Sequence, residues 1–136
     1  MKLKELYDSI VEIGIKNDPR GEKEVREILK KEAEKYKKLT DKEKRLYDVE
    51  KLKNPYNDTR ILYGDKDINI DSVIVGIDIE APEVLLAKIL SQQGKKIDLV
   101  LSHHPEGIGY RNFYEVMGMQ ADILNKFGVP INIAEG

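Results

Sequence analysis

The stretch that decides the fold is VIVGIDIEAPEVLLAKILSQQGKKIDLVLSHHPEG, residues 73–107. It begins with a β-branched run over residues 73–77, which is typical of a strand buried on both faces. Pro82 is placed to open a helix, and Gly94 suits its end. A second apolar run over residues 97–101 follows. The order strand, helix, strand predicts two parallel strands joined by a crossover helix.

The same alternation continues toward the end of the chain. The pattern predicts a helix over residues 112–126 and a third parallel strand over 129–133, and residues 61–63 are a short strand candidate. We therefore predict an α/β fold for residues 60–136, with a mainly parallel sheet flanked by helices. Because no helix follows the last predicted strand, we expect residues 60–136 to be the first part of a longer metal-binding protein.

The first part of the chain has a different pattern. Apolar residues recur at three- and four-residue spacing from Leu3 to Ile13, and again in a second segment that follows a break at residues 17–21. Thr40 and Glu43 have the spacing of a capping box and predict that a third helix begins near Asp41. We therefore predict that residues 1–59 form a helical N-terminal extension.

Composition excludes several classes of site. The chain has no cysteine, so thiolate zinc sites, thiol nucleophiles and disulfides are excluded. The formal net charge is -2, which argues against nucleic acid as a partner. No segment approaches the ~18 consecutive apolar residues of a membrane span. The charged N-terminus lacks an apolar signal core, so we expect a cytoplasmic protein.

The two histidines of the chain, His103 and His104, are adjacent and end the second predicted strand. Ligands of parallel α/β sheets bind beyond the carboxyl ends of strands, and imidazole binds zinc, iron or manganese. Neighbouring side chains in a strand point to opposite faces, but a turn at Pro105 would let both serve a pair of ions. The alternative is two surface histidines without a ligand.

Several other polar residues are candidates for the same edge of the sheet. Asp78 ends the preceding strand and could hold a histidine by a hydrogen bond or act as a base; alternatively, it is an acid that favours the start of a helix. Glu135, after the third predicted strand, could face the site or be exposed to solvent. Glu106 and Tyr110 are in the loop after the histidines and could line the site, although a solvated loop is the simpler interpretation. Arg60 could contact an anion, although a plain turn is the simpler interpretation of its segment.

Residues 73–107 resemble the N-terminal part of the NGG-interacting-factor-three-like family, also known as the GTP cyclohydrolase I type 2 family. The resemblance is carried by the strand ending in Asp78, the helix, and the run Asp98-Leu-Val-Leu-Ser-His-His-Pro105. The segment YEVMGMQADILNKFGVPINIAEG, residues 114–136, is similar to a continuation of that family. The resemblance covers residues 60–136 well and the first part of the chain less specifically.

The resemblance implies a dinuclear centre of two divalent ions (zinc, iron or manganese), with His103 and His104 among the ligands, in a protein that often forms ring-shaped hexamers. The family's remaining ligands, an aspartate and a C-terminal histidine and glutamate, have no counterpart here. We thus expect half of a dinuclear site in a metal-dependent, hydrolase-like protein with a small-molecule substrate. The alternative is a non-catalytic metal-binding or assembly protein that uses the helical N-terminal arm to bind partners or itself.

Overall fold

The structure, a computed structural model, describes residues 1–111 and 113–136 and all of their side chains except that of Glu115. Helices account for 57% of the protein and strands for 7%, and the two short strands are parallel. The predicted fold, a mainly parallel sheet flanked by helices, is therefore wrong. In the described part of the chain, no helix is both long and apolar enough to cross a bilayer.

The elements follow the chain in two groups. The first group is helical and comprises α1 (Leu3–Asn17), α2 (Glu22–Lys38), α3 (Asp41–Leu46) and a short 3-10 helix (Val49–Leu52). The second group comprises β1 (Val73–Gly76), α4 (Ala81–Gln92), β2 (Leu99–Ser102), α5 (Gly107–Arg111), α6 (Phe113–Lys126) and α7 (Ile131–Ala134). The predicted α6 is confirmed from Phe113 onward, while Asn112 lies outside the described residues.

The central strand, helix, strand unit is confirmed. β1 pairs with β2 in parallel, with Val73 opposite Leu99 and Gly76 opposite Ser102. α4 is the crossover between them and has proline in its first turn, as predicted. The two strands present their carboxyl ends at one edge, which is where both histidines follow.

The predicted third strand is a short helix instead. Pro130 precedes α7, and its carbonyl accepts hydrogen bonds from Ile133 N and Ala134 N at 2.9 and 3.0 Å. Since these backbone groups are satisfied locally, none is needed for a strand ladder. A run of β-branched residues this short does not distinguish a strand from a helical turn.

The other missing strand is the candidate at residues 61–63. Leu62 is half-exposed and Tyr63 is almost fully exposed, and Gly64 follows with a φ of 103°. Only Ile61 packs against the core of the helical group. One apolar contact does not stabilise an edge strand, so the segment remains irregular.

The core of the protein lies within the helical group. Tyr7, Val11 and Ile15 lie one turn apart on α1 and pack with Val25 of α2. This four-residue spacing is the amphipathic stripe that the sequence predicts. Leu29, Tyr56 and Ile61 are partly buried against the same cluster.

The third helix begins where the capping box predicts. Glu43 Oε2 accepts hydrogen bonds from Thr40 N and Oγ1 at 2.8 and 2.6 Å. α3 ends at Leu46, and the 3-10 helix begins three residues later, at Val49. The hydroxyl of Tyr47 donates to Glu32 at 2.7 Å and holds this break against α2.

Contacts between distant segments join the two groups. Ile70 N donates to Met1 O at 2.7 Å, and Lys2 and Asn69 form an antiparallel bridge. At the other end, Lys126 Nζ donates to the carbonyls of Pro19 and Arg20 at 2.6 and 2.9 Å. The ends of the chain thus dock onto the opposite group.

The start of β1 is held by one carboxylate. Asp98 Oδ2 accepts hydrogen bonds from Asp71 N and Ser72 N, both at 3.1 Å. Its second oxygen pairs with Lys96 Nζ at 2.7 Å. The Lys96 ammonium, together with these backbone donors, lowers the pKa of Asp98 to about 2. Asp98 directly precedes β2 and therefore holds the start of β1 beside the start of β2.

Acid should remove this support. The folded pKa of Asp98 lies below its ordinary value of 3.8, so its contribution is present above that value and is lost as the pH falls toward about 2. We expect Asp98→Asn to be less stable than the parent protein at neutral pH, with a gap that shrinks over this window. Urea unfolding at several pH values measures this difference in stability. For Asp41→Asn, an exposed control on α3, the gap should stay small and constant; a pH-independent gap for Asp98→Asn would contradict the assignment.

Candidate metal site

The two histidines lie directly beyond the carboxyl end of β2. The backbone continues the parallel ladder past the strand, with His103 N donating to Gly76 O at 2.9 Å and His104 N donating to Ile77 O at 2.8 Å. These bonds fix the backbone of both histidines against the end of β1. The side chains, by contrast, are exposed.

The histidine rings are close together despite their adjacent positions. Their centroids are 5.2 Å apart and their planes are inclined by 34°. The chain bends after them, and the hydroxyl of Ser102 donates to His104 O at 2.7 Å. The bend expected before Pro105 therefore brings both imidazoles to one side, as a shared metal site requires.

Asp78 lies beside the second histidine. Its Oδ1 is 2.7 Å from His104 Nδ1, a distance at which the proton-bearing nitrogen donates to the carboxylate. In a neutral imidazole, a proton on Nδ1 leaves Nε2 unprotonated, which is the form that binds a metal ion. The carboxylate and the imidazole are 72% and 55% exposed, so water competes for this contact. Of the three roles open for Asp78 in the sequence, the hydrogen bond to a histidine is the one for which the structure shows a contact.

The other candidate residues lie elsewhere or have other partners. Glu135 ends α7 rather than a strand, and it is exposed. The carbonyl of Glu106 accepts from Gly109 N and Tyr110 N at the start of α5, while the Tyr110 side chain is largely exposed. The Arg60 guanidinium contacts the carboxylates of Asp48 and Glu50, so an anion there would meet two negative charges.

The side chains at this edge are of types that bind divalent ions, but there are too few of them. Two imidazoles and one carboxylate are ligands that zinc, iron and manganese accept. Asp78 is already bonded to His104, however, and no group of three His, Cys, Asp or Glu side chains within residues 1–111 and 113–136 has an arrangement able to hold an ion. A catalytic zinc site usually has three protein ligands for one ion. The described residues alone do not complete a dinuclear centre.

Two residues that position the site had no predicted role. Ser102 ties the turn through its hydroxyl, and Asp98 sets the start of the strand pair. A polar residue at each boundary of an apolar run is the only sequence signal for them. The backbone partners of Asp98 are 26 and 27 positions away, so its role leaves no spacing pattern in the sequence.

Two grooves on the surface lie apart from the histidines. One is lined by residues of α1 and α2 together with Lys53 and Asn54. The other lies between α2 and the loop after the 3-10 helix. Neither includes Asp78 or the histidine pair, so the candidate site is an exposed edge rather than a cleft.

Three comparisons gave no match: no protein-family model, no curated protein and no solved structure is significantly similar to the chain. The resemblance to the NGG-interacting-factor-three-like family therefore stays a prediction that depends on residues 73–107.

Proposed function

We propose that the protein is a metal-dependent, hydrolase-like protein with a small-molecule substrate, in which His103 and His104 supply half of a dinuclear site. The observation that carries the proposal is the 2.7 Å hydrogen bond between Asp78 and His104 Nδ1. Metal-binding histidines commonly donate their second ring nitrogen to a carboxylate in this way. Solvent histidines have no requirement for such a partner.

The residues of the chain have distinct roles in this proposal. His103 and His104 bind one or two divalent ions through unprotonated ring nitrogens, and Asp78 sets the orientation and the tautomer of His104. Ser102 holds the turn that brings the rings together. Divalent ions at this edge would lower the pKa of a bound water and polarise a substrate. Their remaining ligands would come from groups outside the histidine pair.

Metal binding by the purified chain tests the proposal. Titration with Zn²⁺ or Co²⁺, monitored by calorimetry or by the visible spectrum of cobalt, should show that the parent protein binds metal. His103→Ala and His104→Ala should each weaken this binding by a factor of roughly 100 or more. Asp78→Asn should weaken it by a factor of about 10, the usual effect of removing the partner of a metal-binding histidine.

Two controls define the outcome. Glu135→Gln should bind metal like the parent protein, because Glu135 follows the short helix α7 rather than a strand of the sheet. Binding of the parent protein no stronger than that of the double variant His103→Ala, His104→Ala would overturn the proposal.

The second candidate function is assembly through the helical arm. Ile13 of α1 and Leu46 of α3 are apolar and exposed, at 61% and 83%. Deleting the arm would remove the core built on Tyr7 and Val25, so substitution in the full chain is the better test. If the arm assembles copies of the chain, or the hexamer implied by the family resemblance, Ile13→Glu and Leu46→Glu should lower the mass measured by light scattering.

A further inference from the structure

The surface area of the protein is too large for a compact monomer. It exposes 9832 Å². A folded monomer of its mass, 15.6 kDa, exposes about 7,200 Å². The excess of about 2,600 Å² is larger than the ~800 Å² that each partner buries in a standard protein interface. The exposed area is therefore sufficient to form a stable interface.

Much of the excess is apolar and belongs to the second group of elements. On the sheet, alternate residues of β1 and its extension are exposed, namely Val73, Val75 and Ile77. On α4 the apolar residues surround the helix. Ala87 is buried, whereas the opposite side of α4, here called the α4 face, is exposed and consists of Pro82, Leu85, Leu86 and Ile89. A helix that is apolar on all sides is normally buried on all sides.

The charges around the α4 face are arranged in a gradient. The acidic residues Glu80 and Glu83 lie at its N-terminal end. Lys88 lies in its second half and Lys95 just beyond its end, while the neighbouring Lys96 is paired with Asp98. A second α4 that crosses in the opposite direction places its acidic end beside the basic end of the first. The same arrangement also opposes the two helix dipoles favourably.

We propose that the α4 face is a self-association surface, on which a second copy of this chain packs its own α4 antiparallel about a two-fold axis. An isologous contact of this kind needs one surface that is complementary to itself, and the charge gradient with the central leucines meets that requirement. The proposal does not depend on the metal site, because Asp78, His103 and His104 lie outside the α4 face.

Light scattering with sedimentation over a range of concentrations tests the proposal. The parent chain should reach twice 15.6 kDa. Leu86→Glu and Leu85→Lys should each raise the dissociation constant of the dimer by a factor of about 100 or more, since a two-fold contact loses each side chain twice. Both residues are about half-exposed, at 50% and 56%, so far-UV circular dichroism should be unchanged.

The matched control is Leu62→Glu, a half-exposed leucine in the loop before β1. Its dimer should persist. Charge reversal at Lys95, as Lys95→Glu, should weaken the dimer, and added salt should remove the difference between this variant and the parent. A parent chain that stays monomeric at all concentrations, or a dimer that Leu62→Glu dissociates and Leu86→Glu does not, would overturn the proposal. Either result leaves the metal-binding test unaffected.

Discussion

Replacing Arg60 with alanine should lower the free energy of unfolding by about 3 kcal/mol, the lower part of the range for breaking a buried ion pair. The Arg60 side chain is only 3% exposed. Its guanidinium lies 2.8 Å from Asp48 Oδ2 and 2.9 Å from Glu50 Oε2. It also donates through Nε to Asn57 O at 3.0 Å. One cation thus ties the 3-10 helix to the loop before β1.

The size of the effect follows from what the truncation leaves behind. Burial by itself would lower the pKa of Arg60, but the carboxylates of Asp48 and Glu50 raise it above its ordinary value. Without the guanidinium, these two carboxylates face each other with no cation between them. They are partly exposed, at 31% and 20%, so water relieves some of the repulsion. The cost is therefore closer to 3 than to 5 kcal/mol.

Urea unfolding followed by far-UV circular dichroism measures this prediction. Arg45→Ala is the matched control, because Arg45 is exposed on α3; it should change stability by less than about 0.5 kcal/mol. Arg60→Lys should lie between the two, since an ammonium cannot contact both carboxylates in the same planar arrangement. A loss below about 1 kcal/mol for Arg60→Ala would mean that solvent screens the network and that it has little role in stability.

The second large effect is expected at Asn54. Replacing Asn54 with alanine should lower the free energy of unfolding by about 2–3 kcal/mol. Asn54 is 1% exposed. Its Nδ2 donates to Tyr7 Oη at 2.8 Å and to Thr59 O at 2.7 Å, and its Oδ1 accepts from Tyr56 N at 2.8 Å. Alanine would leave three polar groups near the core without this partner.

The hydroxyl of Tyr7 makes this site especially sensitive. Burial raises the pKa of Tyr7 above its ordinary value, and the nearby Glu50 carboxylate raises it further, so the hydroxyl stays protonated. It lies where the loop at Asn54 covers the α1–α2 core. The matched control is Asn17→Ala: the amide of Asn17 is exposed and donates to Ile13 O on the same helix. Equal losses for Asn17→Ala and Asn54→Ala in thermal unfolding would contradict this account.

How much of the fold could be predicted depended on the range of the interactions. The three N-terminal helices, the strand pair and α4 follow from local signals, such as the stripe on α1, the Thr40–Glu43 capping box and Pro82. The strands expected at residues 61–63 and 129–133 failed for a common reason. A short apolar run forms a strand only if a neighbouring edge accepts its hydrogen bonds, and local sequence carries no information about that edge.

The candidate site shows the same division. The sequence alone placed His103 and His104 at the carboxyl end of a parallel strand and placed Asp78 at the end of its neighbour. Only the tertiary structure decided how close the two imidazoles lie and that Asp78 bonds to one of them. The second contact joins residues 26 positions apart, which the register of β1 and β2 brings together. It also decided that Glu135 follows a helical turn and not a strand, since the turn at Pro130 satisfies locally the backbone groups that a third strand would have presented to the sheet.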